Sequence, residues 1–283
     1  QLVREDNEQT GKTYVYTYDN AGNIKTKKEY AYTREEPSNV IENNEYKYEN
    51  NNWNDQLTSL NQQEIRYDQI GNPILYKGKT YGWNGRRLTS IGDNITYTYD
   101  SNGLRTSKTV NGQTTTFVYH EGRLIEEKGP IHRLNFIYDN KGNLAKIIQN
   151  TNNTKIEYFV ATNSREDVIA LYESDGTIVC RYVYDAWGNH KVCNPNGSEN
   201  TSESFIGNLN PFRYRGYYYD NETQLFYCNS RYYSPELCRF ISPDSIEYLD
   251  PESINGLNLY AYCNNNPVMY SDPDGHFVIN TLL

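Results

Sequence analysis

The chain has 283 residues, a net charge of -9 and 29 tyrosines. Its charges are interspersed with no basic stripe, which argues against nucleic-acid binding as the task of these residues, and no apolar run approaches the roughly 18 residues of a membrane span. Leu, Ile, Val and Phe make up only roughly a fifth of the chain, near the boundary where disorder sets in. The tyrosines outweigh that tendency, because each buries a large ring while its hydroxyl finds a partner, and Tyr favours strands.

The expectation is therefore an ordered, β-rich protein with a partly polar interior, of a length that suits one or two domains. Because the chain opens at Gln1 and its only methionine is Met269, we expect a piece of a longer protein, in which any upstream signal peptide lies out of view. The five cysteines (Cys180, Cys193, Cys228, Cys238 and Cys263) include no Cys-x-x-Cys pair and are odd in number. They read as free thiols rather than zinc ligands or a disulfide framework.

In chain order, one unit recurs. "YTYDNAGNI" at 16–24 returns as "RYDQIGNPI" at 66–74, "YTYDSNGLR" at 97–105, "FIYDNKGNL" at 136–144 and "YVYDAWGNH" at 182–190. Weaker copies, such as "LYESDGTIV", fill in a spacing of roughly 18–20 residues. Before each turn, aromatic and β-branched residues alternate with polar ones, as at Tyr14, Tyr16 and Tyr18, which is strand periodicity. The turn follows: Asp bonds to backbone two residues on, and Gly supplies positive φ. Each unit is thus a β-hairpin that cannot bury its own face, so successive hairpins must stack side by side. The interruption "NHKVCNPNGSENTSESFIGNLN" (189–210) reads as a long surface loop. It either marks a boundary near residue 205 or enlarges one hairpin of a continuous sheet.

Tyr-Asp-x-x-Gly-Asn units at this spacing resemble the YD repeats of RHS proteins, of Tc-toxin C subunits and of teneurins. The resemblance implies an all-β fold in which stacked hairpins form a curved sheet or partial hollow shell over 1–205. An RHS-associated core follows over 206–283, and in bacterial members the shell encloses a C-terminal toxin segment. The core is recognisable in "FRYRGYYYD", "LFYCNSRYY", "RFISPD", "NLYAYCNNNP" and "SDPDG", in the family's order.

In Tc-toxin C subunits this signature acts as an intramolecular aspartic protease that frees the toxin segment. The resemblance carries three roles onto this chain: Arg231 at the head of Arg-Tyr-Tyr, Asp244 after Arg-Phe, and Asp272 opening Asp-Pro-x-Gly. Two carboxylates close together do not both ionise comfortably, so one keeps a proton while the other activates water, and an arginine pushes the two apart. The expected cut lies between Gly275 and Val278. The chain departs from the family pattern at Ser234-Pro235 (for Asp-Pro), Cys238 (for Gly), Ser245 (for Pro) and His276 (for Leu). The first three touch turn geometry and the last touches the cleavage position.

Bland readings stand beside these. Asp in such contexts also simply starts turns, the role we assign to Asp250, and Arg231 also serves as a structural partner. Tyr217, Tyr218, Tyr219, Tyr232 and Tyr233 read as packing residues. Trp53, Trp83 and Trp187 sit beside turns, as hairpin covers or as sugar platforms. His120, His132, His190 and His276 show no metal spacing, and neither metal nor cofactor is expected. Three functions remain: a toxin shell with its own C-terminal segment as partner and one self-cleavage; a surface module binding cell-surface carbohydrate or protein; and a structural spacer. The family points to a secreted or bacterial cell-surface location, with no nucleic-acid partner for the shell.

Overall fold

In the computed structural model, the residues described are 1–130, 132–151, 154–249, 256–276 and 278–280. Asp250 and Phe277 lie outside them. The fold is built from antiparallel strands; helical structure among the described residues is limited to the single turn Ile206–Leu209 and the 3-10 turns Tyr214–Gly216, Ile246–Tyr248 and Cys263–Asn265. Two compact units form: residues 1–86, 184–189 and 231–283, and residues 87–183 and 190–230.

In the first unit, a six-stranded sheet runs in chain order from Arg4–Asn7 through Lys12–Tyr18, Ile24–Ala31, Glu42–Lys47 and Ser59–Leu60 to Gln63–Glu64. The strands Arg66–Tyr67, Pro73–Tyr76 and Lys79–Asn84 follow as further antiparallel neighbours. The C-terminal segment of this unit grips the repeat turns. Tyr260 donates its hydroxyl to the Gly71 carbonyl at 2.8 Å, and Asn265 donates its amide to the Gly22 carbonyl at 2.7 Å. The interior is aromatic: Tyr233 lies on Tyr262 with ring centroids 4.1 Å apart, and Trp187 is fully buried beside Tyr16.

In the second unit, the strands from Arg87–Ile91 to Ile178–Tyr184 again pair with their chain neighbours. One sheet face is buried by Tyr97, Phe117, Leu134, Phe136, Ile147 and Tyr158. The other carries cross-strand hydroxyl pairs, such as Thr98 with Ser107 at 2.6 Å and Thr109 with Thr114 at 2.8 Å, the sheet's own unit of stabilisation. The hairpin Tyr218–Asp220 with Leu225–Cys228 belongs to this unit. Its Asp220 takes a bidentate Arg105 at 2.5 and 3.1 Å, and Lys108 at 2.9 Å, with the acid and Arg105 almost fully buried.

The segment expected as a loop at 189–210 differs in detail. It opens with the strand His190–Cys193 and closes with the turn Ile206–Leu209, because Val192, Cys193, Ile206 and Gly207 are buried. Most of residues 195–204 between them are exposed. All five cysteines are buried and unbridged. Tyr217, Tyr218, Tyr232 and Tyr233 are buried packing residues. Trp53 packs on Tyr260, and Trp83 donates to the Pro73 carbonyl at 2.7 Å.

Candidate functional site

The site lies in the first unit. Arg231 opens the strand Arg231–Ser234, which pairs with Arg239–Phe240. That pairing lays its guanidinium over the Phe240 ring, 3.6 Å from the centroid. The buried fork then reaches four groups. Nη1 donates to the Leu259 carbonyl at 2.9 Å. Nη2 donates to Asp244 Oδ2 at 2.9 Å and lies 3.4 Å from Asp272 Oδ2. Nε donates to the carbonyl oxygen of Gly275.

Each acid has its own support. Asp244 follows the strand Arg239–Phe240, and its backbone N–H donates to the Leu259 carbonyl at 3.0 Å. Its Oδ1 accepts the Ser245 N–H at 2.8 Å. Asp272 follows the short strand Tyr270–Ser271, and its Oδ1 accepts the Gly275 N–H at 2.9 Å. That bond closes the Asp-Pro-Asp-Gly turn, and Gly275 takes a φ of 83° that a residue with a side chain rarely adopts.

Burial dominates the electrostatics of Asp272 and pushes its carboxyl up to about 7; Arg231 opposes, Asp274 reinforces, the Gly275 N–H opposes, and Asp244 adds a further push upward. Asp272 thus holds its proton up to near neutrality, and Asp244 makes the shorter contact to Arg231, 2.9 Å against 3.4 Å.

The three residues singled out in the sequence therefore share one place. Three further residues join them, of which the sequence reading had named only His276, as a departure at the cleavage position. His276 donates from Nδ1 to Asp244 Oδ1 at 2.7 Å when that acid is ionised. Tyr248 stacks on the His276 ring with centroids 4.5 Å apart and planes at 14°. Leu259 supplies carbonyl acceptors to both Arg231 and the Asp244 backbone. The one available signal was His276 standing where the resembling family has Leu. A cavity of about 650 Å³ opens onto Arg231, Asp244, Tyr248, Asp272 and His276. No cluster of three or more metal-ligating side chains occurs among the described residues.

Comparison with known proteins places the chain in a family. The chain is 38% identical to the tRNA3(Ser)-specific nuclease WapA of Bacillus spizizenii over 98% of its length. It is 37% identical to the tRNA nuclease WapA of Bacillus subtilis, also over 98%. It spans 11% of the length of each. Toxin subunit YenC1 of Yersinia entomophaga is 27% identical over 96% of the chain, which covers 30% of that protein.

Two solved structures share the fold at 20% identity. The Photorhabdus luminescens Tc holotoxin pore superposes with a TM-score of 0.65 over 94% of this chain and 13% of its own. The complex TcdB2-TccC3 without its hypervariable C-terminal region does so with 0.67 over 93% and 13%. The family model of the Teneurin YD-shell matches residues 1–268, and the chain belongs to that family.

Proposed function

We propose that this chain is the shell end of an RHS-type toxin protein, and that it cuts itself once, between Gly275 and His276, to free the segment that follows. The observation that carries the reading is the Gly275 carbonyl accepting from Arg231 Nε, with both acids gathered at Nη2 of the same guanidinium.

The chemistry balances as a hydrolysis. Water adds to the Gly275 carbonyl carbon while Asp244 takes its proton. Arg231 stabilises the charge that grows on the carbonyl oxygen. The C–N bond breaks as the Asp272 proton passes to the His276 nitrogen, leaving a carboxyl at Gly275 and an amine at His276. The bond belongs to the same chain, so folding itself supplies proximity.

Residues 1–205 act in this reading as the enclosing shell and 206–283 as the cutting core. The toxin class is supported by the relatives WapA and YenC1, and secretion or surface display follows from that class. The nuclease activity named for WapA is not assigned to these residues, which cover a small part of those proteins.

The test is the full natural polypeptide, tagged at its C-terminus and kept near neutral pH because Asp-Pro bonds also break chemically in acid. Gel and mass spectrometry should show a fragment ending at Gly275. Asp272→Asn should stay whole and folded, since Asn keeps the turn-forming side chain but delivers no proton. Arg231→Lys should slow cutting by roughly 10²–10³, the usual loss when an oxyanion donor is removed. An uncut wild-type protein, or an Asp272→Asn variant cut equally fast, would remove the reading.

A further inference from the structure

We infer that Asp244 and Tyr248 form a seat for the side chain of residue 276, and that His276 in that seat sets the register of the Gly275 carbonyl on Arg231. The inference rests on the cleavage reading above and names what that site recognises: a planar side chain carrying an N–H donor next to the bond that breaks.

Three contacts hold His276. Its Nδ1 lies 2.7 Å from Asp244 Oδ1. Its ring lies flat on Tyr248. Its backbone N–H donates to Asp274 Oδ1 at 3.0 Å. Gly275, just before it, is held only through its backbone, by Asp272 Oδ1 on the N–H and by Arg231 Nε on the carbonyl. With no side chain, Gly275 has wide backbone freedom, so the placement of its carbonyl depends on what grips its neighbours. A shift of about 1 Å in such a placement costs on the order of a hundredfold in rate.

The seat also fits the chemistry of Asp244. Oδ1 accepts from Ser245 and His276, while Oδ2 accepts from Arg231. A carboxylate has about four lone-pair sites, so Oδ2 keeps one for the attacking water. His276 therefore orients the acid without closing it. A leucine at 276 would leave Oδ1 without its second donor and Tyr248 without a flat partner.

Two measurements on the full natural polypeptide test this. The first compares rate and cut position in variants at 276. His276→Leu and His276→Gln should be slowed about ten- to a hundredfold and cut at scattered bonds. His276→Asn, whose Nδ2 falls near the place of Nδ1, should recover most of the rate at the original bond. Tyr248→Ala should be slowed like His276→Leu. A role set by size alone would rank Leu with Asn, and an His276→Leu variant cut at the wild-type rate and bond would overturn the seat.

The second needs no cutting. In Asp272→Asn, deuterium exchange at the His276 ring carbon, read by peptide mass spectrometry, should be several-fold slower than in the unfolded chain, and Tyr248→Ala should restore it. Exchange as fast as in the unfolded chain overturns the inference. If the wild-type chain is never cut, the cleavage reading fails by itself, and slow exchange would still support the seat while fast exchange would end it.

Discussion

Arg231 separates two acids that would otherwise compete for one proton. Its contact to Asp244 is the shorter by half an ångström, and burial raises Asp272 to about 7. The sign of the pH dependence follows. If Asp272 donates the proton, the cutting rate is level below about 7 and falls by about tenfold per pH unit above it. A first-order rate measured from pH 6 to 9 that climbs instead would reverse the assignment of acid and base. Cys238 shows a different kind of residue-level compromise. It has a φ of 57° and is fully buried, at the position where the resembling family has Gly. That left-handed backbone suits Gly, and a small apolar side chain sits on it here at a cost of roughly 1–2 kcal/mol.

The repeat turn explains its own letters. In the unit at 66–74, Asp68 Oδ1 accepts the N–H of Ile70 at 3.0 Å and of Asn72 at 2.8 Å, and Oδ2 accepts the Asn72 amide at 2.9 Å. The same Asp-to-Asn bonds recur at Asp19, Asp139 and Asp185. That much was legible, because Asp, Gly and Asn each have a turn role that depends on local backbone alone. Two features were not. The ladder shifts register at the Tyr of the motif, at Tyr18, Tyr67, Tyr99 and Tyr138. Those four hydroxyls then donate to carbonyls of Leu2, Leu57, Leu88 and Leu124. Such bonds depend on what lies one strand away, which periodicity does not encode. The turns also differ in what surrounds them. Gly71 and Gly176 have nearly equal φ, at 87° and 86°, so alanine at either costs roughly 1–2 kcal/mol of backbone strain. A Cβ at 71 would also meet the Tyr260 hydroxyl at 2.5 Å and Pro243 at 2.9 Å, whereas nothing lies within 4 Å at 176. Gly71→Ala should therefore lose a further 1–3 kcal/mol or so through overpacking. Equal losses in chemical denaturation would show that Tyr260 yields freely.

At the scale of the molecule, the sequence pattern foretold antiparallel hairpins but not which residues share a compact unit. Residues 231–283 fold with 1–86, while 190–230 fold with 87–183, through bonds between residues far apart in sequence that no local pattern announces. The two units differ in their buried acids: the second holds a lowered Asp220 beside a raised Glu222, and the first holds a raised Glu5 and a raised Asp272. In the second unit, burial raises Asp220 but Arg105 and then Lys108 outweigh it, so its carboxyl sits below the usual range. A depressed acid stabilises above its unfolded value of 3.8, and that contribution is lost as pH falls through the lower folded value. In the first unit, burial and then Asp185 raise Glu5 to about 7, and burial raises Asp272 to about 7 as well. The folded unit then binds more protons than the unfolded chain between the ordinary carboxylate range and about 7, so its stability falls as pH rises through that window and levels off above it. Hydrogen exchange by peptide mass spectrometry, corrected for intrinsic rates, should show protection in the first unit declining between roughly pH 5 and 7, while protection around Asp220 in the second unit weakens as pH falls in stronger acid. Glu5→Gln should flatten the decline without touching the cutting residues. If protection in the first unit rises over that window, its buried acids are ionised at neutrality and Asp272 is no longer a proton donor; if Glu5→Gln leaves the slope unchanged, Glu5 makes no contribution to it.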